Sequence, residues 1–233
     1  MLLLIAGSLY YMNRPRFIRY PAFGISIPRH YEIHGIDVSK YQHRIEWQDV
    51  QQMQVDGVKI GFCFIKATEG VSSVDSRFHR NWKGARNVGL PRGAYHYFIP
   101  TRSGKEQAKN FIDEVEIQPG DLPPVLDIEV LQDVNKAVLQ QRVFEWLQLV
   151  EAKYGMKPII YTGADFYTKN LADKFSDYPL WVAHYLVKDK PRVYRDWHFW
   201  QHNEAGRVNG IDAPVDFNVF CGDSTDFVRL LKK

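Results

Sequence analysis

Cysteine is almost absent from the 233-residue sequence, which contains only Cys63 and Cys221. The two residues lie far apart and each has apolar neighbours, so the sequence offers no Cys-x-x-Cys spacing for zinc or for a redox dithiol. We therefore expect both to be buried free thiols, with a disulfide between them as the less favoured alternative.

Several catalytic and binding signatures are missing as well. There is no Gly-x-Ser-x-Gly elbow for a serine nucleophile, no glycine-rich phosphate loop and no dense run of lysine and arginine. The formal net charge is only +3, far from the basic surface typical of nucleic-acid-binding proteins. These absences argue against serine or cysteine nucleophiles and against a nucleic-acid partner.

The first 32 residues divide into two segments of different composition. Residues 1–12 are apolar, too few to span a bilayer as a helix, and lack a charged leader. They predict the remnant of an export signal or membrane anchor, with an apolar element of the fold as the alternative. Residues 13–32 are rich in arginine, proline and aromatic residues and predict a linker or wrapping arm. Residues 33–233 then form one domain, and we expect export to the periplasm, the cell envelope or the extracellular space.

From residue 34 onward, short strand-like runs alternate with helical ones. The alternation repeats five times, and three further strands follow without helices of comparable length between them. This pattern predicts an α/β fold, an irregular TIM-like barrel with five βα units followed by three strands that lack regular helices. The predicted strands cover residues 34–39, 60–66, 92–98, 123–130, 157–162, 180–183, 197–201 and 216–220, and the helices cover residues 47–55, 78–88, 105–115 and 135–154.

Polar side chains occur at or just beyond the ends of these predicted strands. In a β/α barrel the carboxyl ends of the strands meet on one face, where active sites are built. A single polar residue at a strand end is usually an ordinary loop residue, but here the pattern recurs along the whole chain. The residues expected to line one pocket are Asp37, Lys66, Tyr97, Asp127, Glu129, Tyr161, His184, Tyr185, Gln201 and Asp216.

Asp127 and Glu129 stand two residues apart, directly after an apolar run at residues 123–126. Alternate side chains of a strand point to the same face, so the two carboxyl groups should lie side by side. Close carboxyl groups rarely ionise independently, because burial and mutual repulsion leave a proton on one and a charge on the other. A solvated surface strand is the alternative, but the apolar flanks predict a strand buried on both faces.

Four carboxylates combined with 14% aromatic residues, and without a cluster of histidine and cysteine ligands, argue against a transition-metal site. Paired acids fit glycoside hydrolysis, in which one acid protonates the leaving oxygen and a second group stabilises an oxocarbenium-like transition state. Two alternatives stay open. One is a phosphodiesterase that holds Mg²⁺ or Ca²⁺ on the acids, and the other is a non-catalytic barrel that binds glycans.

Eight short motifs follow one another along residues 34 to about 222. They are HGIDVS (34–39), IKATEG (65–70), GAYHY (93–97), LDIE (126–129), IYT (160–162), LWVA (180–183), FWQ (199–201) and VDFN (215–218). In this order they resemble glycoside hydrolase family 25, the Chalaropsis-type lysozymes. The resemblance implies an irregular barrel of the kind described above and a muramidase that needs neither cofactor nor metal. Its expected reaction is cleavage of the β-1,4 bond between N-acetylmuramic acid and N-acetylglucosamine in bacterial peptidoglycan.

The resemblance also assigns roles to the four acids. It implies that Glu129 is the general acid and Asp127 its partner, with Asp37 and Asp216 as the outer acids of the cleft. We expect Asp127 and one outer acid to hold the acetamido group of the substrate, so that the sugar supplies its own nucleophile. Direct attack by Asp127 and activation of a water molecule are the open alternatives.

A further set of residues is expected to contact the substrate or to orient groups that do. Trp181 and Tyr185 should expose rings that stack on a sugar, and Gln201 should orient a carboxylate or a hydroxyl. The complete set is Lys66, Tyr95, Tyr97, Tyr161, Trp181, Tyr185 and Gln201.

Three neighbouring residues receive structural roles. Lys66 should pair with a cleft acid or with Glu69, because an unpaired buried charge is costly. His96 and His184 are expected to be hydrogen-bonded packing residues. The expected partner is a peptidoglycan glycan strand, bound by a monomer whose N-terminus provides a membrane tether.

Overall fold

A computed structural model describes residues 16–187 and 189–233, and the predicted export signal or anchor over residues 1–12 lies outside them. The described chain begins with an antiparallel hairpin of β1 (Phe17–Tyr20) and β2 (Ile25–Pro28). None of the helices in these ranges is both long enough and apolar enough to cross a membrane.

Eight of the remaining strands close into the predicted barrel. The ten strands that follow the hairpin are β3 (His34–Val38), β4 (Gln54–Val55), β5 (Val58–Glu69), β6 (Ser73–Val74), β7 (Arg92–Tyr97), β8 (Val125–Asp127), β9 (Ile159–Gly163), β10 (Leu180–Ala183), β11 (Phe199–Val208) and β12 (Ile211–Phe220). The barrel runs from β3 through β5, β7, β8, β9, β10, β11 and β12 back to β3. Its neighbouring strands are parallel, except that β12 runs antiparallel to both β11 and β3.

Helices follow each of the first five barrel strands, as the alternation predicted. They are a 3-10 helix (Lys40–Gln42), α1 (Trp47–Gln52), α2 (Phe78–Asn87), α3 (Gly104–Glu114), α4 (Lys136–Tyr154), α5 (Ala164–Asn170) and, after the barrel, α6 (Ser224–Leu230). The described residues place no helix between β10 and β11 or between β11 and β12. Both predicted ends of α4 are confirmed, since the Asn135 side chain accepts from Val138 N and Gly155 adopts a left-handed φ of 66°.

Alternate side chains of each strand fill the barrel interior, which is largely aromatic. Helix α6 closes the amino-terminal end of the barrel, where Phe227 packs against Phe62 and Phe220. The crowding requires glycine at Gly35, because a Cβ there would lie 2.4 Å from the Phe62 ring. The interior cluster consists of Phe62, Phe64, Leu122, Val125, Ile159, Tyr161, Trp181, Phe199, Phe220 and Phe227.

The direction of β12 corrects one step of the sequence argument. Asp216 does not lie at the end of a strand; it is the sixth of the ten residues of β12. Because β12 runs antiparallel to β3, Asp216 pairs directly with Asp37 and still reaches the carboxyl-terminal mouth of the barrel. The inference that Asp216 lies with the other acids was right, but the reason given for it was wrong.

The N-terminal hairpin packs on the outside of the barrel wall. The Phe23 ring contacts the Phe217 ring at a centroid distance of 5.4 Å, and Arg207 N donates to Phe23 O at 2.8 Å. Phe17 meets Trp200 edge to face. Residues from 17 onward therefore share the hydrophobic core of the barrel domain, and we call this hairpin the wrapping arm.

Both cysteines are free, so the alternative of a disulfide is wrong. Cys63 is buried in the barrel wall as predicted, and burial raises the pKa of its thiol. Cys221 is exposed, contrary to the prediction, because it is the first residue beyond β12.

Candidate active site

The carboxyl pair stands at the mouth of the barrel, where β8 ends. Strand β8 stops at Asp127, but the next residues stay close to the wall, since Ile128 N donates to Tyr161 O at 3.0 Å. Ile128 is fully buried on the outer side, and Asp127 and Glu129 share the inner side. The prediction of a strand buried on both faces fails beyond Ile128, because Glu129 and Val130 are exposed.

Asp127 is the buried member of the pair. Only 5% of the residue is exposed, and its Oδ1 has no hydrogen-bond partner within the described ranges. Burial raises the pKa of Asp127 well above its usual range, and the charge of Glu129 and a side-chain hydrogen bond with Glu129 raise it further. The positive charge of Lys66 acts in the opposite direction. The raised pKa favours the protonated form of the buried Asp127, and Glu129 faces solvent.

A second carboxyl pair, Asp37 and Asp216, is formed across the antiparallel β3 and β12 strands. Burial and the charge of Asp216 raise the pKa of Asp37 well above its usual range. Burial raises the pKa of Asp216 to about 6, although a hydrogen bond from Asp37 lowers it in part. Each of the two pairs therefore contains a buried acid whose pKa is raised well above its usual range, Asp127 in the first pair and Asp37 in the second.

Amide side chains hold Asp37 in place. Its Oδ2 accepts from Gln201 Nε2 and from Asn218 Nδ2, both at 2.8 Å. The prediction that Gln201 orients a carboxylate is confirmed by this contact. Asn218 was missed as a functional residue, although its position two residues after Asp216 on the same face of β12 was a usable signal.

Three aromatic residues that were expected to contact the substrate, Tyr161, Trp181 and Tyr185, differ in their exposure and in their hydrogen-bond partners. Tyr161 donates its hydroxyl to Gln201 Oε1 at 2.7 Å, and the half-exposed Tyr185 donates to the same oxygen. Trp181 contradicts the expectation of an exposed ring, because it is only 2% exposed and lies within β10. Its ring stacks on Phe64 at 4.4 Å, and its Nε1 donates to Asn218 Oδ1 at 2.8 Å. Trp181 therefore supports the amide that holds Asp37.

Tyr95 and Tyr97 stand two residues apart on β7 and share its inner face, where Tyr95 packs against the interior cluster. Burial raises the pKa of Tyr95, and so do the nearby charges of Asp37, Asp127 and Asp216, which places its hydroxyl among the acids of both pairs. Burial and the charge of Glu129 likewise raise the pKa of Tyr97. The charges of both carboxyl pairs therefore act on the Tyr95 hydroxyl.

The predicted ion pair of Lys66 is confirmed. Its Nζ lies 2.6 Å from Glu69 Oε2 and 4.8 Å from the centre of the Tyr97 ring. His96, on the outer face of β7, bonds through its ring nitrogens to Thr68 Oγ1 at 2.7 Å and Gln107 Oε1 at 3.2 Å. His184 accepts from Arg192 N at 3.1 Å. Both histidines have the packing roles that were predicted.

Within residues 16–187 and 189–233, no three His, Cys, Asp or Glu side chains form a candidate ion site. The four acids are instead arranged as two carboxyl pairs.

The sequence profile of glycosyl hydrolases family 25 matches residues 36–211. The chain belongs to this family. It is therefore a glycoside hydrolase, and the resemblance noted in the sequence is confirmed.

Relatives from three organisms cover most of the chain. The Escherichia coli K12 protein described as uncharacterized protein YegX is 51% identical over 201 residues, which are 86% of this chain and 74% of YegX. Lysozyme M1 of Streptomyces globisporus is 34% identical over 215 residues, 85% of this chain and 71% of that protein. The solved structure of a family 25 glycosyl hydrolase from Bacillus anthracis has a TM-score of 0.81 and 31% identity, covering 88% of this chain and 96% of that chain.

Within a family 25 glycoside hydrolase, this arrangement suits acid-assisted cleavage. The exposed Glu129 can reach a leaving oxygen, and the buried Asp127 behind it stores a proton. The second pair supplies a negative charge through Asp216 and a fixed donor through Asp37. Proton donation and stabilisation of a developing positive charge are thus available on two sides of one cleft.

Proposed function

We propose that this protein is a lysozyme that hydrolyses the β-1,4 bond between N-acetylmuramic acid and N-acetylglucosamine in bacterial peptidoglycan. The proposal depends on one observation, which is that two carboxyl pairs lie together at the barrel mouth. The Asp127–Glu129 pair reaches solvent through Glu129, and the Asp37–Asp216 pair is held across β3 and β12. Membership of family 25 and the similarity to Lysozyme M1 support the choice of substrate. The site of action is accordingly the cell wall, outside the cytoplasm.

In the proposed mechanism the first pair acts as a unit. A bound sugar chain covers Glu129 and removes its solvent, so the proton moves along the hydrogen bond from Asp127 to Glu129. Glu129 donates that proton to the glycosidic oxygen as the bond breaks. Asp127 is left as an anion that attracts the acetamido N–H, and the acetamido oxygen closes onto the sugar carbon. Glu129 then takes a proton from the water that opens this intermediate.

The second pair and its supports position the substrate in this proposal. Asp216, ionised above its pKa of about 6, faces the developing positive charge. Asp37 is held by Gln201 and Asn218 and keeps Asp216 in place. Tyr95, Tyr97 and Tyr185 line the same mouth, where they offer hydroxyl groups and ring edges to the glycan.

The test is release of reducing sugar ends from purified peptidoglycan, with the terminal sugars identified by mass spectrometry. Intact protein should produce muramic-acid ends, and Glu129→Gln should lose at least a hundredfold in rate because the acid is removed. Asp133→Asn is a matched control on the same loop, since Asp133 is exposed and asparagine tolerates its left-handed φ of 63°.

The alternatives give different results in the same assay. If intact protein binds peptidoglycan but releases no sugar ends, the chain is a glycan-binding barrel and the roles given to Asp127 and Glu129 are wrong. If a chelator abolishes the activity and added Mg²⁺ restores it, the acids serve a metal-dependent reaction instead. Glucosamine ends in place of muramic-acid ends would overturn the choice of bond.

A further inference from the structure

A cavity lies on the outer side of the barrel wall, beside the acids rather than among them. It has a volume of about 650 Å³, within the range of sites that hold small ligands. The N-terminal hairpin forms one side, residues 185–187 after β10 form the second, and β11 forms the third. The cavity therefore depends on the wrapping arm, which lies outside the residues that match the family profile.

Two residues connect this cavity to the cleft. Tyr185 lines the cavity and also donates its hydroxyl to Gln201, which holds Asp37. Glu204 lines the cavity, and its charge contributes to the raised pKa of Asp216. A molecule in the cavity is thus adjacent to a glycan in the cleft.

His202 is an unpartnered polar side chain in the cavity wall. It is 4% exposed, and neither ring nitrogen has a hydrogen-bond partner within the described part of the chain. Burial lowers the pKa of His202 to about 3, so the ring is neutral and offers one donor and one acceptor. Both nitrogens are enclosed by protein atoms, so the ring contributes to the cavity wall and the contacts available to a ligand come from the exposed residues around it.

The lining favours a peptide over a second sugar chain. Arg19 and Glu204 are exposed on different sides of the cavity, and neither forms an ion pair with another described residue. Opposite charges on two sides of the cavity match a ligand that carries both a carboxylate and an amine, as a peptide does. Trp200 is only 1% exposed and meets Phe17 and Tyr31 at its edges, so it offers no open face on which a sugar ring can stack.

We propose that this cavity binds the peptide stem of the peptidoglycan strand whose glycan occupies the cleft. Arg19 pairs with a stem carboxylate and Glu204 with a stem amine. The inference rests on the proposed function, since it identifies which part of that substrate the chain recognises beside the scissile bond.

The direct test is a titration of the full chain with a synthetic stem tetrapeptide that has a free carboxylate, a diamino residue and no sugar. Wild type should bind it, and Arg19→Ala should weaken binding about tenfold through loss of one charge-assisted contact. Arg29→Ala is the matched control, because Arg29 is exposed on the same hairpin segment and does not line the cavity. Glu204→Gln removes the opposite charge and should weaken binding to a similar extent, and both substituted residues are exposed, so the fold is preserved.

Absence of tetrapeptide binding by wild type, or equal binding by wild type and Arg19→Ala, would overturn the inference. A second measurement separates it from the proposed function. Wild type should cleave stem-bearing peptidoglycan with a kcat/KM about tenfold above that for the same glycan stripped of peptide, and Arg19→Ala should lower this ratio while Arg29→Ala keeps it. Equal cleavage of both polymers contradicts the peptide site and leaves the lysozyme assignment intact. Cleavage of neither polymer, with tetrapeptide binding retained, overturns the lysozyme assignment and supports the peptide site.

Discussion

The substitution Asp216→Asn is expected to stabilise the protein and at the same time to impair it as an enzyme. Asp216 is mostly buried beside Asp37 on the opposite strand, and burial is the main reason for its high pKa. Asparagine has nearly the same shape, carries no charge, and can still accept the hydrogen bond from Asp37. The substitution therefore removes a buried charge while preserving the packing of β12.

The magnitude follows from the pKa of Asp216, which is raised from 3.8 to about 6. A raised carboxyl pKa means that the folded state holds the proton more tightly than the unfolded state. Its contribution to stability is therefore complete below about pH 4 and is lost as the pH rises through 6. A shift of about two units, at about 1.4 kcal/mol each, corresponds to about 3 kcal/mol. The substitution also removes the charge repulsion between Asp216 and Asp37, which acts in the same direction. The free energy of unfolding of Asp216→Asn should therefore exceed that of wild type by about 2–3 kcal/mol at pH 7 and by almost nothing at pH 4.

The assay is urea unfolding followed by tryptophan fluorescence at half-unit steps between pH 4 and pH 7.5. Asp212→Asn provides the control, because Asp212 is an exposed acid on the same strand and should show no growing difference from wild type. The reasoning would be refuted if the difference in the free energy of unfolding between Asp216→Asn and wild type did not grow with pH. A variant that is less stable than wild type at pH 7 would refute it as well.

Two further outcomes test the network and the chemistry. Gln201→Leu deprives Asp37 of one donor and leaves the buried Tyr161 hydroxyl unpaired, so the free energy of unfolding should fall by about 2–4 kcal/mol. In a double-mutant cycle with Tyr161→Phe, the stability lost by the double variant should be about 1 kcal/mol smaller than the sum of the two single losses. Strict additivity would contradict a shared hydrogen bond. A thiazoline analogue of the cyclised N-acetyl sugar should bind at least a hundredfold more tightly than the parent sugar in a competition assay, as expected of a mimic of a reaction intermediate. Trapping of a covalent sugar ester on Asp127 with a fluorosugar would show direct attack instead.

The barrel was predictable because each of its elements carries a strong local signal. The apolar runs that became β5, β7 and β9 are bounded by glycine or proline, and α4 has a capping asparagine and a terminal glycine. The sequence carries no comparable signal for the direction of β12, because antiparallel and parallel strands have the same two-residue alternation of side chains. The hairpin of the wrapping arm was also hard to predict, because it depends on contacts with Phe217 and Trp200, which are distant in the sequence.

The composition of the site was easier to predict than its electrostatics. Spacing was enough to place Asp127 and Glu129 on one side of a strand, and the alternation brought Tyr95 and Tyr97 inward. Sequence alone does not give solvent exposure, so it did not reveal that Asp127 is the buried member of the pair, with a raised pKa. The same limit explains Trp181, whose strand-end position suggested an exposed ring although the interior of the barrel encloses it.

The antiparallel course of β12 also explains how one short segment can serve three purposes. Its inward residues descend along the barrel axis, with Asp216 at the mouth, Asn218 holding Asp37, and Phe220 in the floor. A register slip of one residue would turn all three outward, so the apolar floor fixes the position of the acid above it. Asp37 and Asp127 are likewise strand residues, whereas Glu129 stands beyond the end of β8. Three acids are thus positioned by the barrel register, and Glu129 is the one whose geometry can adjust when the substrate enters.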